Sequence, residues 1–232
     1  LEIAEGSNPR ILRFLTEELQ IDPEDIYETT GLIDYAGLNQ IADLDAADLH
    51  YSKWTALPPR GLEDEESDIF AAIRQGDLLV HHPYECFHSS VERFIEQAAN
   101  DPKVLCIKQS LYRTSGDSPF VSSLIRAAEA GKQVAVLVEL RARFDEARNI
   151  LWARKLEDAG VHVAYGVVGY KTHTKTALVV REEQGGLRSY AHVGTGNYNS
   201  RTARMYEDIG LLTADPEITD DLVNLFNYMT GR

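Results

Sequence analysis

Cysteine is nearly absent, with Cys86 and Cys106 the only two in 232 residues. Two are too few for a disulfide framework, and they are expected as buried free thiols. No apolar run reaches membrane length and no signal peptide is legible, so nothing indicates membrane association and a reduced, cytoplasmic setting is expected. Basic residues are also scarce: 23 Lys and Arg against 37 Asp and Glu leave a formal net charge of −14. That balance argues against nucleic acid bound through a global positive field, and a polyanionic ligand would have to find lysines and arginines concentrated in a local pocket. Internal repeats and low-complexity segments are missing too. What is present is an ordinary hydrophobic fraction of 44%, enough for one large domain or a domain with an appendage. The chain opens on Leu1 and ends on Gly231-Arg232 directly after an apolar helical segment, which reads as a piece of a longer protein.

Along the chain, Asn8-Pro9 caps a helix expected to run to about Gln20, residues 22–31 suggest a turn or short strand, and 38–49 has apolar residues at helical spacing. Leu57-Pro58-Pro59-Arg60-Gly61 is a candidate boundary before an acidic, solvated run. Further on, a short helix ends near Gly76, a strand covers 78–80, and 91–100 is helical. From 104 onward the pattern alternates: strand 104–111, helix 119–130, strand 133–140, helix 144–159, strand 161–165. Strands at 172–180, 187–193 and 209–213 follow, the first two joined by a tight turn at 183–186. Asp215-Pro216 then caps a helix to about Met229.

The chemistry concentrates between residues 165 and 215. His173 and Lys175 form an HxK pair. On a strand they share one face with Ala177, while Thr172, Thr174 and Thr176 share the other. Two residues along a strand span roughly 6.5–7 Å, so the lysine can reach a phosphate attacked by the imidazole. The same spacing in a helix would splay them apart. Downstream, Gly194-Thr195-Gly196-Asn197 follows an apolar run, where glycines let backbone amides approach an anion. Arg113 and Arg143 each fall just past a strand, at the sheet edge where ligands of open α/β folds collect. Guanidinium groups there suit bidentate phosphate contact, with a surface salt bridge as the plain alternative. His192 has no neighbouring cation and is expected in the core or in support, His162 is expected to be structural, and His81, His82 and His88 lack carboxylate or thiolate companions at zinc spacing.

The longer text is more specific than any one residue. YKTHTK, HVGTGNYN, ARMYEDIGLLT, KQSLYRT and VAVLVELRARFDEARN resemble bacterial polyphosphate kinases, and the HxK…GxxN order is similar to that of the phospholipase D superfamily. The resemblance implies an α/β fold, phospholipase D-like, with a mixed, mostly parallel sheet flanked by helices. Residues 1–59 would be the α+β tail of a preceding middle domain and 60–232 the first catalytic domain. A second catalytic domain, carrying another essential histidine and further nucleotide contacts, would follow.

The resemblance also implies reversible transfer of the terminal phosphate of ATP to inorganic polyphosphate through phosphorylated His173, with Lys175 beside it. Arg113 and Arg143 match the positions at the triphosphate where the family's magnesium is described. An arginine cannot ligate a cation, so Mg2+ is expected on phosphate oxygens and water. Tyr206 matches a nucleotide contact, Asn197 the GxxN asparagine, and Lys171 is a further candidate for the basic pocket. ATP, ADP and polyphosphate are the implied partners, with a homo-oligomer in the full-length protein. One departure bears on the alternatives: HxK-x4-D would place an aspartate at Val180. A phosphodiesterase normally needs two HxK motifs, and the sequence holds one. A non-catalytic phosphate-binding module is the third reading.

Overall fold

A computed structural model describes residues 1–31, 34–52, 54–112, 118–139, 146–167 and 169–231. The chain divides into two compact units, Leu1–Lys53 and Trp54–Arg232.

In the first unit, strand β1 (Glu2–Ala4) pairs in parallel with β2 (Tyr27–Thr29), and helix α1 (Pro9–Leu19) lies between them in sequence. The Asn8 side chain accepts the Arg10 N–H at 2.9 Å, which satisfies one donor of the first turn. The helix expected over 38–49 is shorter. Only α2 (Asn39–Ala42) is α-helical, between 3-10 turns at Ala36–Leu38 and Ala47–Leu49. Leu38, Ile41 and Leu44 are all exposed, so no packed face sustains a longer helix.

The second unit opens with α3 (Ile69–Gln75) and β3 (Leu78–His82). A π-helical turn at His88–Glu92 leads into α4 (Arg93–Asn100). Then come β4 (Val104–Leu111), α5 (Pro119–Glu129), β5 (Gln133–Val138), α6 (Glu146–Asp158) and β6 (His162–Tyr165). Three strands follow, β7 (Lys175–Glu183), β8 (Gly186–Gly194) and β9 (Asp208–Thr213), and α7 (Pro216–Thr230) ends the unit. The seven strands form one sheet in the order β3-β9-β8-β7-β4-β5-β6.

The sheet is mixed and helix-flanked, as expected, but most of its pairs are antiparallel. Only β4–β5 and β5–β6 run parallel, while β4–β7, β7–β8, β8–β9 and β9–β3 are antiparallel. The cause is the connections. Parallel neighbours need a helical crossover, which α5 and α6 provide, whereas β7 turns into β8 through Gln184-Gly185 alone, with Glu183 facing Gly186.

Period-two alternation gives each central strand two apolar faces. Ile107, Val134, Val136, Ala177 and Val179 join Phe94, Phe120 and Leu156 in the main core. Leu137, Leu178 and Ala191 face Leu222, Phe226 and Met229 of α7. The buried run from Val134 to Val138 is therefore covered on both sides, as an internal strand between two layers must be. The two cysteines are free, but each is only partly buried. The expectation of buried free thiols holds for the free state and only in part for burial, since Cys86 lies in a loop and Cys106 near the start of β4.

Candidate functional site

The strand order brings the chemistry to one edge. Leu111 and Val138 are the last partners of β4 and β5, Lys175 at the start of β7 pairs with Gly194 at the end of β8, and Asp208 at the start of β9 pairs with His82. The HxK pair, the GTGN loop and the exits of the parallel strands thus share a rim.

His173 differs from the expectation in one respect. It precedes β7 rather than lying within it, and it is exposed, while Lys175 is buried at 4%. The two do not share a strand face. The ladder between β4 and β7 ends at Gln109–Ala177, and beyond it side chains replace backbone partners. Ser110 Oγ donates to the Thr174 carbonyl at 2.8 Å and receives the Thr176 N–H at 3.1 Å. The Thr172 N–H donates to the Glu139 carboxylate at 2.8 Å. Residues 172–174 are thus held as a segment outside the strand, with His173 exposed.

Histidine and lysine nevertheless come together. Lys175 Nζ donates to the His173 carbonyl oxygen at 2.6 Å. The Tyr112 ring, just past β4, is their common support: its centroid is 5.1 Å from the His173 ring, edge to face, 5.3 Å from Lys175 Nζ and 5.6 Å from Lys171 Nζ. Burial pushes the Lys175 ammonium below the usual lysine range, and the Asp208 carboxylate opposes that shift. A cation in this setting gains by meeting an anion.

The GTGN loop is built by close contact. A Cβ on Gly196 would lie 2.7 Å from the Asp208 carboxyl carbon, and one on Gly194 would lie 2.8 Å from Cε1 of His192. Asp208 Oδ1 accepts the Thr195 hydroxyl at 2.8 Å. Asn197 is half-buried, and its Oδ1 has no hydrogen-bond partner among the described residues. His192 is buried and hydrogen-bonds through Nδ1 with Tyr198 at 2.8 Å. Burial, with a smaller contribution from His82, pushes its pKa down to about 3. It is a neutral core residue, as its lack of a neighbouring cation suggested. His162 hydrogen-bonds with the Thr230 carbonyl at 3.2 Å.

Of the other expected site residues, Lys171 and Tyr206 are exposed, Tyr206 on the segment leading into β9. Arg113 and Arg143 lie outside the described residues, as do positions 144 and 145 of the expected helix. Among the described residues no three His, Cys, Asp or Glu side chains converge to hold a metal ion, so these residues do not by themselves fit a magnesium site. Sequence reasoning missed Tyr112, Ser110, Glu139, Asn149 and Asp208. Tyr112 sits inside the quoted KQSLYRT, beside an arginine that drew attention first.

A helix-flanked mixed sheet with HxK and GTGN on one rim defines a phospholipase D-like α/β domain. The crystal structure of the phospholipase D family member Nuc from Salmonella typhimurium superposes with a TM-score of 0.51 at 12% identity, over 66% of this chain and 93% of that one. That likeness shows the fold alone. The profile described as polyphosphate kinase C-terminal domain 1 matches residues 68–232, and the chain belongs to the polyphosphate kinase family. A polyphosphate kinase of Mycobacterium avium is 58% identical over the whole of this chain. The crystal structure of polyphosphate kinase from Porphyromonas gingivalis gives a TM-score of 0.74 at 31% identity, over 99% of this chain and 35% of that one. The chain spans about a third of the length of these relatives, 32% of the Mycobacterium avium protein.

Proposed function

We propose that the chain is part of an ATP–polyphosphate phosphotransferase and that His173 carries the phosphoryl group. In the first half-reaction the imidazole forms a P–N bond to the terminal phosphorus of ATP. The P–O bond to ADP breaks, and the ring proton passes to solvent. In the second, a terminal oxygen of polyphosphate forms a new P–O bond as the P–N bond breaks, and the ring takes back a proton from solvent. Splitting one transfer in two is the use of a covalent nucleophile. The observation that carries this reading is the exposed His173 gathered with two lysines around one tyrosine ring.

Lys175 and Lys171 offset the negative charge that repels an incoming triphosphate, and positioned charge is the main resource of phosphoryl transfer. Asn197 offers its amide to a phosphate, and Tyr206 supports the nucleotide by packing or through its hydroxyl. Arg113 and Arg143 contact the triphosphate. Magnesium, bound to phosphate oxygens and water, would neutralise further charge. Residues 1–59 belong to a preceding domain and 60–232 to the first catalytic domain of a cytoplasmic, homo-oligomeric protein whose other essential histidine and further nucleotide contacts belong to a second catalytic domain.

The test is incubation of the full-length protein with γ-labelled ATP. Acid-labile label on protein supports the kinase, phosphodiester cleavage the hydrolase, and binding without either a phosphate-binding module.

A further inference from the structure

Beyond their last ladder pair, β4 and β5 are tied by one main-chain hydrogen bond and one side chain. The Glu139 N–H donates to the Leu111 carbonyl at 3.0 Å. Asn149 reaches across from α6 and donates from Nδ2 to two carbonyls, those of Tyr112 and Glu139, each at 2.9 Å. A primary amide offers two donors on one planar nitrogen, so one buried side chain closes both strand exits. Asn149 is 2% exposed and Glu139 4% exposed.

A chain of contacts then leads to the nucleophile. Asn149 fixes the Glu139 backbone, the Glu139 carboxylate holds the Thr172 N–H at 2.8 Å, and the next residue is His173. Asn149 also fixes the carbonyl of Tyr112, whose ring backs His173. Ser110 holds the other side at Thr174. Burying a carboxylate is costly unless its hydrogen bonds are made, and the Thr172 N–H supplies one here.

We infer that Asn149 and Glu139 are positioning residues that set where the His173 ring stands for phosphoryl transfer. The inference rests on the phosphohistidine reading above. Neither side chain touches the reacting phosphate. They act by fixing the Thr172 amide and the Tyr112 carbonyl, the two points from which the ring and its support are hung.

The experiment compares wild type, Asn149→Ala, Glu139→Ala and Glu139→Gln in the full-length protein, at a temperature where circular dichroism shows each folded. The readings are the single-turnover labelling rate at saturating γ-labelled ATP, ATP affinity, and hydrogen exchange at the Thr172 amide. Both alanine variants are expected to label about a hundredfold more slowly, the scale of a small misplacement of a reacting group. ATP affinity should change less than about threefold, because ground-state contacts are kept. Exchange at Thr172 should quicken in Glu139→Ala. Glu139→Gln should recover most of the rate and the protection, since an amide oxygen also accepts the Thr172 N–H. Alanine variants that label at the wild-type rate, or a glutamine variant as slow as Glu139→Ala, overturn the inference. A wild type that carries no label sinks the phosphohistidine reading instead, and the positioning role with it. Unchanged Thr172 exchange in Glu139→Ala, with label intact in wild type, overturns the positioning role alone.

Discussion

Lys175 Nζ donates to the backbone carbonyl oxygen of His173 at 2.6 Å. The HxK pair is therefore joined through the main chain, with the ammonium buried and the imidazole exposed. Under the proposed transfer, a phosphate arriving at His173 would meet a cation already held in place, and its oxygens would compete with that carbonyl for the ammonium protons.

Lys175→Met removes the charge and keeps much of the volume. Phosphoenzyme formation should fall about a hundredfold, the scale of one well-placed transition-state contact. The thermal midpoint should hold or rise, because burial already disfavours the charge. Stopped-time labelling and calorimetry read the two effects, and normal labelling would remove Lys175 from the site.

The arginines give a second test. Arg113→Ala and Arg143→Ala should each weaken transition-state stabilisation by about 2–4 kcal/mol. Steady-state kinetics with ATP and polyphosphate check it, and unchanged kcat/KM in both would remove them from the triphosphate.

His192 sets a pH dependence. In the unfolded chain it takes a proton below the ordinary value of 6.5, and in the folded protein not until about 3. The unfolded state thus binds more protons across that window, and stability rises with pH through it, by up to about 1.4 kcal/mol per unit from one group. His82 is lowered too, mainly by burial, against hydrogen bonding to Glu85 and the charges of Asp208 and Glu85, and adds the same sign. Burial opposes the ionised forms of Asp101 and Glu183, but hydrogen bonds, led by the Lys103 N–H at Asp101 and the Tyr190 hydroxyl at Glu183, together with the Arg181 guanidinium hold both below the usual carboxylate range. Their share is complete above the ordinary values of 3.8 and 4.5 and is lost only in stronger acid. Urea unfolding between about pH 5 and 6.5 should therefore report the histidines. His192→Gln should flatten the profile, and a wild-type profile already flat would contradict the buried neutral state.

Gly196→Ala drives a methyl into the Asp208 carboxylate. The expected cost is about 1–3 kcal/mol, as for other overpacking. Gly185→Ala, with open space around it, should stay within about 0.5 kcal/mol of wild type. Equal unfolding midpoints for the two would argue against the close contact at Gly196.

The strands from β4 to β9 were legible because their apolar periods are long and their ends carry proline, glycine or aspartate caps. Pro119 at the start of α5 and Asp215-Pro216 before α7 mark helices within a residue of where they form. Direction was less legible. The tight turn at 183–186 marks β7 and β8 as a hairpin, but alternation does not say which further neighbour a strand pairs with, so the antiparallel pairing of β7 with β4 and of β9 with β8 and β3 is not legible and a mostly parallel sheet is expected. The HxK pair is legible from its spacing, but the shared strand face expected of it does not form, because Ser110 and Glu139, distant in sequence, hold the segment before β7. Asn149 carries no motif at all. Its role depends on two carbonyls that only the fold brings together.

The central claim is that His173 takes the phosphoryl group. The direct measurement is to label the full-length protein with γ-labelled ATP, quench in alkali, and map the acid-labile phosphate by peptide. The label should fall on the peptide holding His173, vanish in His173→Ala and persist in His192→Gln. Label that survives in His173→Ala, or maps to His192, would contradict the account.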